Sequence, residues 1–557
     1  MKSGLEIAQE ATLRPIVDVA ADAGLMTDEV ELYGRHKAKI ALSVLERLKD
    51  RPDGRLVVVT AVTPTKAGEG KTTTSVSLTQ GLGKIDRRAV LCLREPSMGP
   101  VFGIKGGGTG GGYAQVLPME DINLHFTGDF HAIAAAHNLL AAALDASIYN
   151  ENPLDIEART ISWPRTLDVN DRSLREVIVG LGGTAHGVPR ESGFVITAAS
   201  EVMALLALSK NLADLRARLG RITVAETRQG QPVTAEDLRV AGAMGVLLKD
   251  AIRPNLVQTL EGQPVIIHTG PFGNIASAHN SIIADRIGLK LGEIVVTEAG
   301  FGSDLGFEKF CHLACRYADL RPSAAVIVAT VRALKTHGGV PDGPELQKED
   351  TAALELGVQN LAAHVDIVRA FGIPSVVAIN RFSADTDDEV SLLCRLTLEV
   401  GADTVVVNDG FEKGGDGAVD LAKAVVDACD RPNSYAPLNP PGMPIKDQIE
   451  RIATTLYGAD GVEFQPASNR KLALLDQRGL GDLPVCMAKT HMSLSHDAAQ
   501  KGRPTGYRLP IRDLLPSSGA GFVVALCGDI MLMPGLGRNP AFTRVDIDEQ
   551  GRTTGLF

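Results

Sequence analysis

LVVVTAVTPTKAGEGKTTT, residues 56–74, decides the fold. Its first half, Leu56–Val62, is an unbroken apolar and largely β-branched run, which predicts a strand buried on both faces. A loop follows, Thr63-Pro64-Thr65-Lys66-Ala67-Gly68-Glu69-Gly70, and then Lys71-Thr72-Thr73-Thr74 opens a helical pattern. A strand, a glycine-bearing loop and Gly-Lys-Thr at a helix start make a phosphate cradle. The glycines let backbone N–H groups turn inward, the helix N-terminus adds positive potential, and Lys71 reaches the outer phosphates. Thr72 is then the residue to hold Mg²⁺ with a bound nucleotide. The strict GxxxxGK[ST] pattern is broken at Thr65, where its first glycine belongs, so a plain strand–turn–helix with a chance Gly-Lys-Thr is the alternative. Lys66, five residues before Lys71, stands where dimeric ATPases of the deviant Walker type carry their signature lysine. A switch or partitioning ATPase is therefore a competing reading, and a nucleotide-sensing protein without catalysis is a third.

Outward from this unit the same texture repeats. Ala89–Leu93, Pro264–Thr269, Glu293–Thr297, Ala324–Thr330, Ser375–Asn380, Thr404–Asn408 and Gly521–Cys527 are short apolar runs. Helical patterns lie among them, as at His131–Ala146, Ser200–Leu212 and Asp350–His364. The alternation predicts a multi-domain α/β protein with a large, phosphate-loop-type, mainly parallel sheet flanked by helices, plus smaller α/β domains. We expect a nucleotide-binding domain over 1–370, with a charged helical subdomain at about 150–260. A smaller α/β domain over 371–445 and a C-terminal α/β domain over 446–557 follow, divided near the proline-rich stretch 437–444.

The 557 residues are 44% hydrophobic and 22% charged, with a net charge of −11, and an acidic chain lacks the basic face a nucleic-acid partner needs. No run approaches the length of a membrane span. The seven scattered cysteines and the absence of a hydrophobic leader point to reduced thiols and a cytoplasmic location.

Ligands of parallel sheets bind at the carboxyl ends of strands. There the strand 89–93 runs into Arg94-Glu95-Pro96, and Arg94 is placed to grip a carboxylate or phosphate in fork geometry. A surface ion pair is the plainer alternative. Next comes Gly103-Ile104-Lys105-Gly106-Gly107-Gly108-Thr109-Gly110-Gly111-Gly112-Tyr113. Such a run is either a flexible linker or backbone that wraps a ligand closely.

GIKGGGTGGGY also resembles one of two signatures of the formate–tetrahydrofolate ligase family, with Gly108 and Thr109 in place of two alanines. The second, VATVRALKTHGG at 328–339, fits throughout. FTGDFHAI (126–133), TEAGFGSDLG (297–306), AINRF (378–382), EKGGDG (412–417), CMAKTHMSLS (486–495) and GDIMLMPGLGRNP (528–540) extend the likeness over nearly the whole chain.

The resemblance implies an ATP-dependent enzyme that makes 10-formyltetrahydrofolate from formate and tetrahydrofolate, through formyl phosphate held by Lys71 and Arg94. It implies Mg-ATP, a potassium or ammonium ion as activator, and a homotetramer. Asp129 is the candidate to accept or orient the N10 proton, or else a helix N-cap. Phe382 and Phe411 match the aromatics that stack the pterin, with Phe411 standing where relatives often have tryptophan. Phe301 and Tyr113 are further folate candidates, and Glu95 belongs near the folate or the cation. Asn380 and Asn408, ending neighbouring strands, are candidates to read the adenine edge.

Overall fold

The computed structural model describes residues 2–66, 68–103 and 107–556. Ala67 of the phosphate loop and 104–106 of the glycine run lie outside the described residues. Twelve strands form one large sheet: β1 (Val30–Leu32), β2 (Ala38–Ile40), β3 (Arg55–Ala61), β4 (Ala89–Leu93), β5 (Gly110–Gly111), β6 (Ala114–Leu117), β7 (Asn255–Thr259), β8 (Pro264–Ile267), β9 (Ile294–Glu298), β10 (Pro322–Ala329), β11 (Ser375–Asn380) and β12 (Val405–Asn408). Across the sheet the order is β1-β2-β7-β8-β4-β9-β3-β10-β11-β12, with β6 on β7 and β5 on β6. From β8 to β12 every pairing is parallel. β7 runs antiparallel to its neighbours, so its first residue, Asn255, sits beside Ile267 at the carboxyl edge of the parallel strands.

The unbroken apolar run in β3 now has its cause. Leu56 and Val58 enter the core on one face, while Val57, Val59 and Ala61 enter a second core on the other. A sheet covered on both sides leaves no position for alternating polar residues. Helix α1 (Lys71–Lys84) lies on the second face through Val76, Leu78 and Leu82. Helix α2 (Asp129–Tyr149) is the one described helix long and apolar enough to cross a membrane. It packs Ile133, Ala136, Leu140, Ala141 and Leu144 into the first core.

The strands expected over 371–445 are β11 and β12, and they complete the large sheet rather than forming one of their own. The expected single helix over Ser200–Leu212 is two, Glu201–Ala207 and Leu212–Arg221. Asn211 takes an extended conformation and its side chain caps Asp214 N, the local competition that makes asparagine favour helix starts over interiors. The C-terminal segment builds separate small sheets, Gly461–Phe464 with Arg508–Ile511, and Val485–Ala488 with Phe522–Leu526 and Asp513–Ser517. Buried Lys489 fastens it to the main body through Asp304 at 2.6 Å.

Candidate active site

The loop after β3 is fixed from inside and from behind. Gly68 and Gly70 both have φ of +74°, a conformation that strains any other residue. A Cβ at Gly70 would also meet Asn380 Nδ2 at 2.9 Å. Thr65, the departure from the strict pattern, fits because the loop uses it. Its N–H and hydroxyl donate to Glu69 Oε1 at 2.7 and 2.9 Å. Thr63, before Pro64, is held from below. Its N–H donates to Asn360 Oδ1, its hydroxyl accepts from Asn360 Nδ2 and meets His364 Nε2 at 3.0 Å, and its carbonyl accepts from His337 Nε2 at 2.9 Å. Ser303 Oγ donates to the His364 carbonyl and so accepts from His364 Nδ1–H at 2.6 Å, which leaves His364 Nε2 to accept from the Thr63 hydroxyl. Burial holds His337 and His364 neutral, each with its pKa lowered to about 4. His337 thus has a structural place, and Lys335 of the same signature pairs with Glu389 at 2.8 Å. Lys66, 77% exposed, pairs with Asp342 at the surface.

Lys71 begins α1 and Arg94 follows β4, two strands away, with β9 between them. The last residue of β9, Glu298, joins the two sides. It accepts from Thr72 Oγ1 at 2.7 Å, and its other oxygen lies 3.8 Å from Arg94 Nη2. Burial lowers the pKa of Lys71, against the pull of Glu298 and Glu69, and Arg94 adds to the lowering. Arg94, 23% exposed, is lowered by burial and partly restored by Glu298. The surface ion pair is therefore not what this arginine forms. Its guanidinium lies against Gly300, where a Cβ would meet both terminal nitrogens at 3.0–3.1 Å. Three non-glycine residues around it, Thr269, Ala278 and Phe301, have φ of 46°, 58° and 59°. Such strain persists only where the surroundings over-determine it.

Beside Arg94 lies a second buried group. Lys39 Nζ donates to both oxygens of Asp129, at 2.7 and 3.0 Å, and to Asn255 Oδ1 at 3.0 Å, while Asn255 Nδ2 donates to Asp129 Oδ2. Asp129 is the first residue of α2 and Gly128 is the cap, so the N-cap alternative is replaced by an ion pair. Burial raises the Asp129 carboxyl and Lys39 draws it back. Glu95 is buried nearby, its Oε2 without a partner among the described residues, and burial and the Asp129 charge push it well up.

The aromatic candidates line a more open side. Phe382 carries the Arg332 guanidinium on one face, 3.8 Å from the ring centroid. Phe411, 42% exposed, follows β12, and its carbonyl accepts from Tyr113 N at 2.9 Å. Gly112, with φ of +59°, leaves no room for a Cβ against that carbonyl. The described part of the glycine run is thus a packed hairpin on Phe411, not a linker. Phe301 stacks on His491, centroids 4.7 Å apart, and its ring edge packs so closely on Gly273 that a Cβ there would meet it at 2.6 Å. Asn380 and Asn408 use their amides internally. Asn408 donates to Asn380 Oδ1 at 2.8 Å, which also accepts from Thr74 Oγ1, and Asn380 Nδ2 donates to Glu69 O at 2.8 Å. The pair binds the loop to the strand ends.

Sequence reasoning missed Glu298, Lys39 and Arg332. Glu298 ends a buried strand just as Arg94 follows one, and the rule that singled out the arginine applies to it equally.

A mainly parallel sheet with a glycine-bearing loop, Lys71 and Thr72 at a helix start, and an arginine that shares the Glu298 carboxylate with Thr72 define an α/β protein with a buried, charged site at the carboxyl ends of its strands. The family model described as formate–tetrahydrofolate ligase matches residues 2–557. A formate–tetrahydrofolate ligase of Desulforamulus reducens is 55% identical over 562 residues, covering 100% of this chain and 99% of the relative. Those of Roseiflexus sp. (strain RS-1) and Roseiflexus castenholzii are 54% and 55% identical over 563 residues, with both partners of each comparison fully covered. The chain belongs to the formate–tetrahydrofolate ligase family, and with it to the ligases that form a carbon–nitrogen bond.

Proposed function

We propose that this protein joins formate to N10 of tetrahydrofolate with cleavage of ATP, through formyl phosphate. The observation that carries the reading is Glu298, which ties Thr72 of the phosphate loop and Arg94 into one corner beside Lys71. A formate oxygen attacks the γ-phosphorus in line, the bond to the β-phosphate oxygen breaks, and ADP leaves. The N10 lone pair then attacks the formyl carbon, the carbon–oxygen bond to phosphate breaks, and phosphate and the N10 proton depart. Phosphoryl transfer asks the protein for position and charge neutralisation. Lys71 supplies positive charge at the outer phosphates, and Arg94 grips the carboxylate end and then the acyl phosphate. The Thr72 hydroxyl and the Glu298 carboxylate are the hard oxygen donors that suit magnesium. Magnesium would arrive with the nucleotide and neutralise phosphate charge. Both oxygens of Asp129 are occupied, so of the two roles open to it this arrangement favours orienting over proton transfer. The activating potassium or ammonium ion would offset the burial that pushes the Glu95 carboxyl up, and so hold it ionised. Phe382, Phe411 and Phe301 provide the flat faces for the pterin, and Tyr113 fixes the backbone of Phe411. Asn380 and Asn408 act on the nucleotide through the loop they brace. Cytoplasmic location and assembly as a homotetramer belong to the same reading.

The test is an ADP-release assay with each substrate left out in turn, together with detection of 10-formyltetrahydrofolate. ADP should form only when formate and folate are both present, apart from a slow formate-dependent partial reaction. Rapid ADP release without formate or folate would instead favour a switch ATPase.

A further inference from the structure

A buried lysine lies behind the Arg94 corner, and the proposed chemistry makes no use of it. Lys309 is fully buried, and its Nζ makes one hydrogen bond among the described residues, to the carbonyl of Gly273 at 2.8 Å. The carboxylates nearest to it along the chain are engaged elsewhere, Asp304 with Lys489 and Glu308 with His312, each at 2.6 Å. An ammonium has three donors, and burying it with so few partners destabilises the fold. That points to a function for the contact it does make. Lys309 also lies between two π-helical segments, Ser303–Phe307 and Phe310–Cys315, and such wide turns gather at functional sites.

The contact closes a ring around Arg94. One side of the ring is the loop 269–280, which follows β8. Arg94 Nη1 donates to its Pro271 carbonyl at 3.4 Å, and its Thr269 and Ala278 hold positive φ. The other side is the turn 299–302, which follows β9. There Gly300 packs on the guanidinium and its N–H donates to the Ala278 carbonyl at 2.7 Å, while the Phe301 ring packs on Gly273. The helical segment carrying Lys309 continues from this turn, so the lysine belongs to the second side and bonds the first. Backbone at positive φ persists only where its surroundings fix it, and without Lys309 the loop loses its tie at Gly273, two residues from Pro271. We infer that Lys309 is a positioning residue, which by holding Gly273 against Phe301 keeps closed the clamp that sets the Arg94 guanidinium for the formate carboxylate. The inference rests on the proposed reading of Arg94 as the grip on formate.

Steady-state formation of 10-formyltetrahydrofolate by the full chain tests it, with formate varied at saturating MgATP and tetrahydrofolate. Lys309→Met keeps the length of the side chain and removes the ammonium. It should raise the KM for formate about 10- to 100-fold, with the KM for MgATP changed by less than about two-fold. Lys309→Gln keeps a shorter donor and should fall between that variant and the wild type. The control is Asp304→Asn/Lys489→Gln, which removes the neighbouring buried ion pair without stranding a charge. The Lys489 ammonium bonds Asp304, Thr490 and Ser493 and not the loop 269–280, so the control should lower the thermal transition and leave the KM for formate unchanged. An unchanged KM for formate in Lys309→Met, an equal rise in the control, or loss of the folded state in both Lys309 variants would overturn the inference. Arg94→Lys separates this from failure of the underlying reading. If it raises the KM for formate or abolishes turnover while Lys309→Met does neither, the inference falls and the reading stands. If Arg94→Lys leaves KM and kcat with formate as in the wild type, the reading falls and the inference with it.

Discussion

The two ends of the site are built differently. At the proposed phosphate end, Thr63, Thr65, Glu69, Lys71, Thr72, Arg94 and Glu298 lean on one another, on buried histidines beneath and on strained backbone around them. At the proposed folate end the rings of Phe382 and Phe411 are partly exposed, the first backed by Arg332 and the second by the glycine hairpin. The difference matches what each ligand demands. A transferring phosphoryl group is stabilised by preorganised charge, which loses its value if it must reorganise. A flat heterocycle is held by dispersion and stacking, which tolerate small displacement. Substitutions at the phosphate end should therefore act on the chemical step, and those at the aromatic end on affinity.

The largest effect is expected at Lys71. Lys71→Ala should lower kcat by about 10³-fold or more, with little change in the KM for folate. Burial lowers the pKa of this amine, and its protonated form is the one the phosphates need. In the free enzyme kcat/KM for MgATP should therefore fall, as pH rises, at a lower pH than an exposed lysine would give. Bound nucleotide should restore the charge and move the alkaline limb of kcat to higher pH. Coincident limbs for the two parameters would show that Lys71 does not face the phosphates.

The Lys39–Asp129 pair tests how far the rigid end extends. Removing one partner leaves a buried charge uncompensated, at a cost of about 3–5 kcal/mol. Asp129→Ala should lower the thermal transition more than a Lys39→Met/Asp129→Leu double variant, in which no charge is stranded. Equal losses would place the pair outside the rigid region. Glu298→Gln comes next. It keeps the size and the hydrogen bond of Thr72 but loses the charge that faces Arg94 and, on the proposed reading, magnesium. A supporting partner of this kind is worth about 10–100-fold in activity or metal affinity. A raised magnesium requirement in initial-rate assays would mark the effect as electrostatic. An unchanged requirement would reduce Glu298 to a spacer.

How much of this could be read beforehand follows the same division. The strands β4 and β11 fall where their apolar runs place them, because a strand buried on both faces has no competing pattern. The positions of Lys71, Thr72 and Arg94 after β3 and β4 were legible because a loop or residue at a strand's carboxyl end is fixed by topology alone. What escaped needed the third dimension. Lys39 lies in a three-residue strand between β1 and β7 whose sequence, Ala-Lys-Ile, gives no sign that the lysine is buried against a helix ninety positions on. The amides of Asn380 and Asn408 stood at the right strand ends for a base, and only the contacts show them turned to Thr74, Ser77 and each other. Position along a sheet edge could be inferred, but the direction of a side chain could not.

The smallest effect sharpens the comparison most. Phe411 is 42% exposed and its ring borders Gly111, where a Cβ would come within 3.2 Å. The wall on that side is closed and the rest of the ring is partly exposed, so a larger ring must extend outward, to where the proposed reading puts the folate. Phe411→Trp adds stacking area and an indole N–H. An aromatic pair contributes about 0.5–1.5 kcal/mol beyond area burial, and exchanging one ring for a larger one should recover only part of that. The expected result is about a two- to five-fold lower KM for tetrahydrofolate, with kcat and the KM for ATP unchanged. A shift in the KM for ATP of the same size would mean that Phe411 serves the nucleotide instead, and the assignment of rigid and compliant ends to separate ligands would have to be redrawn.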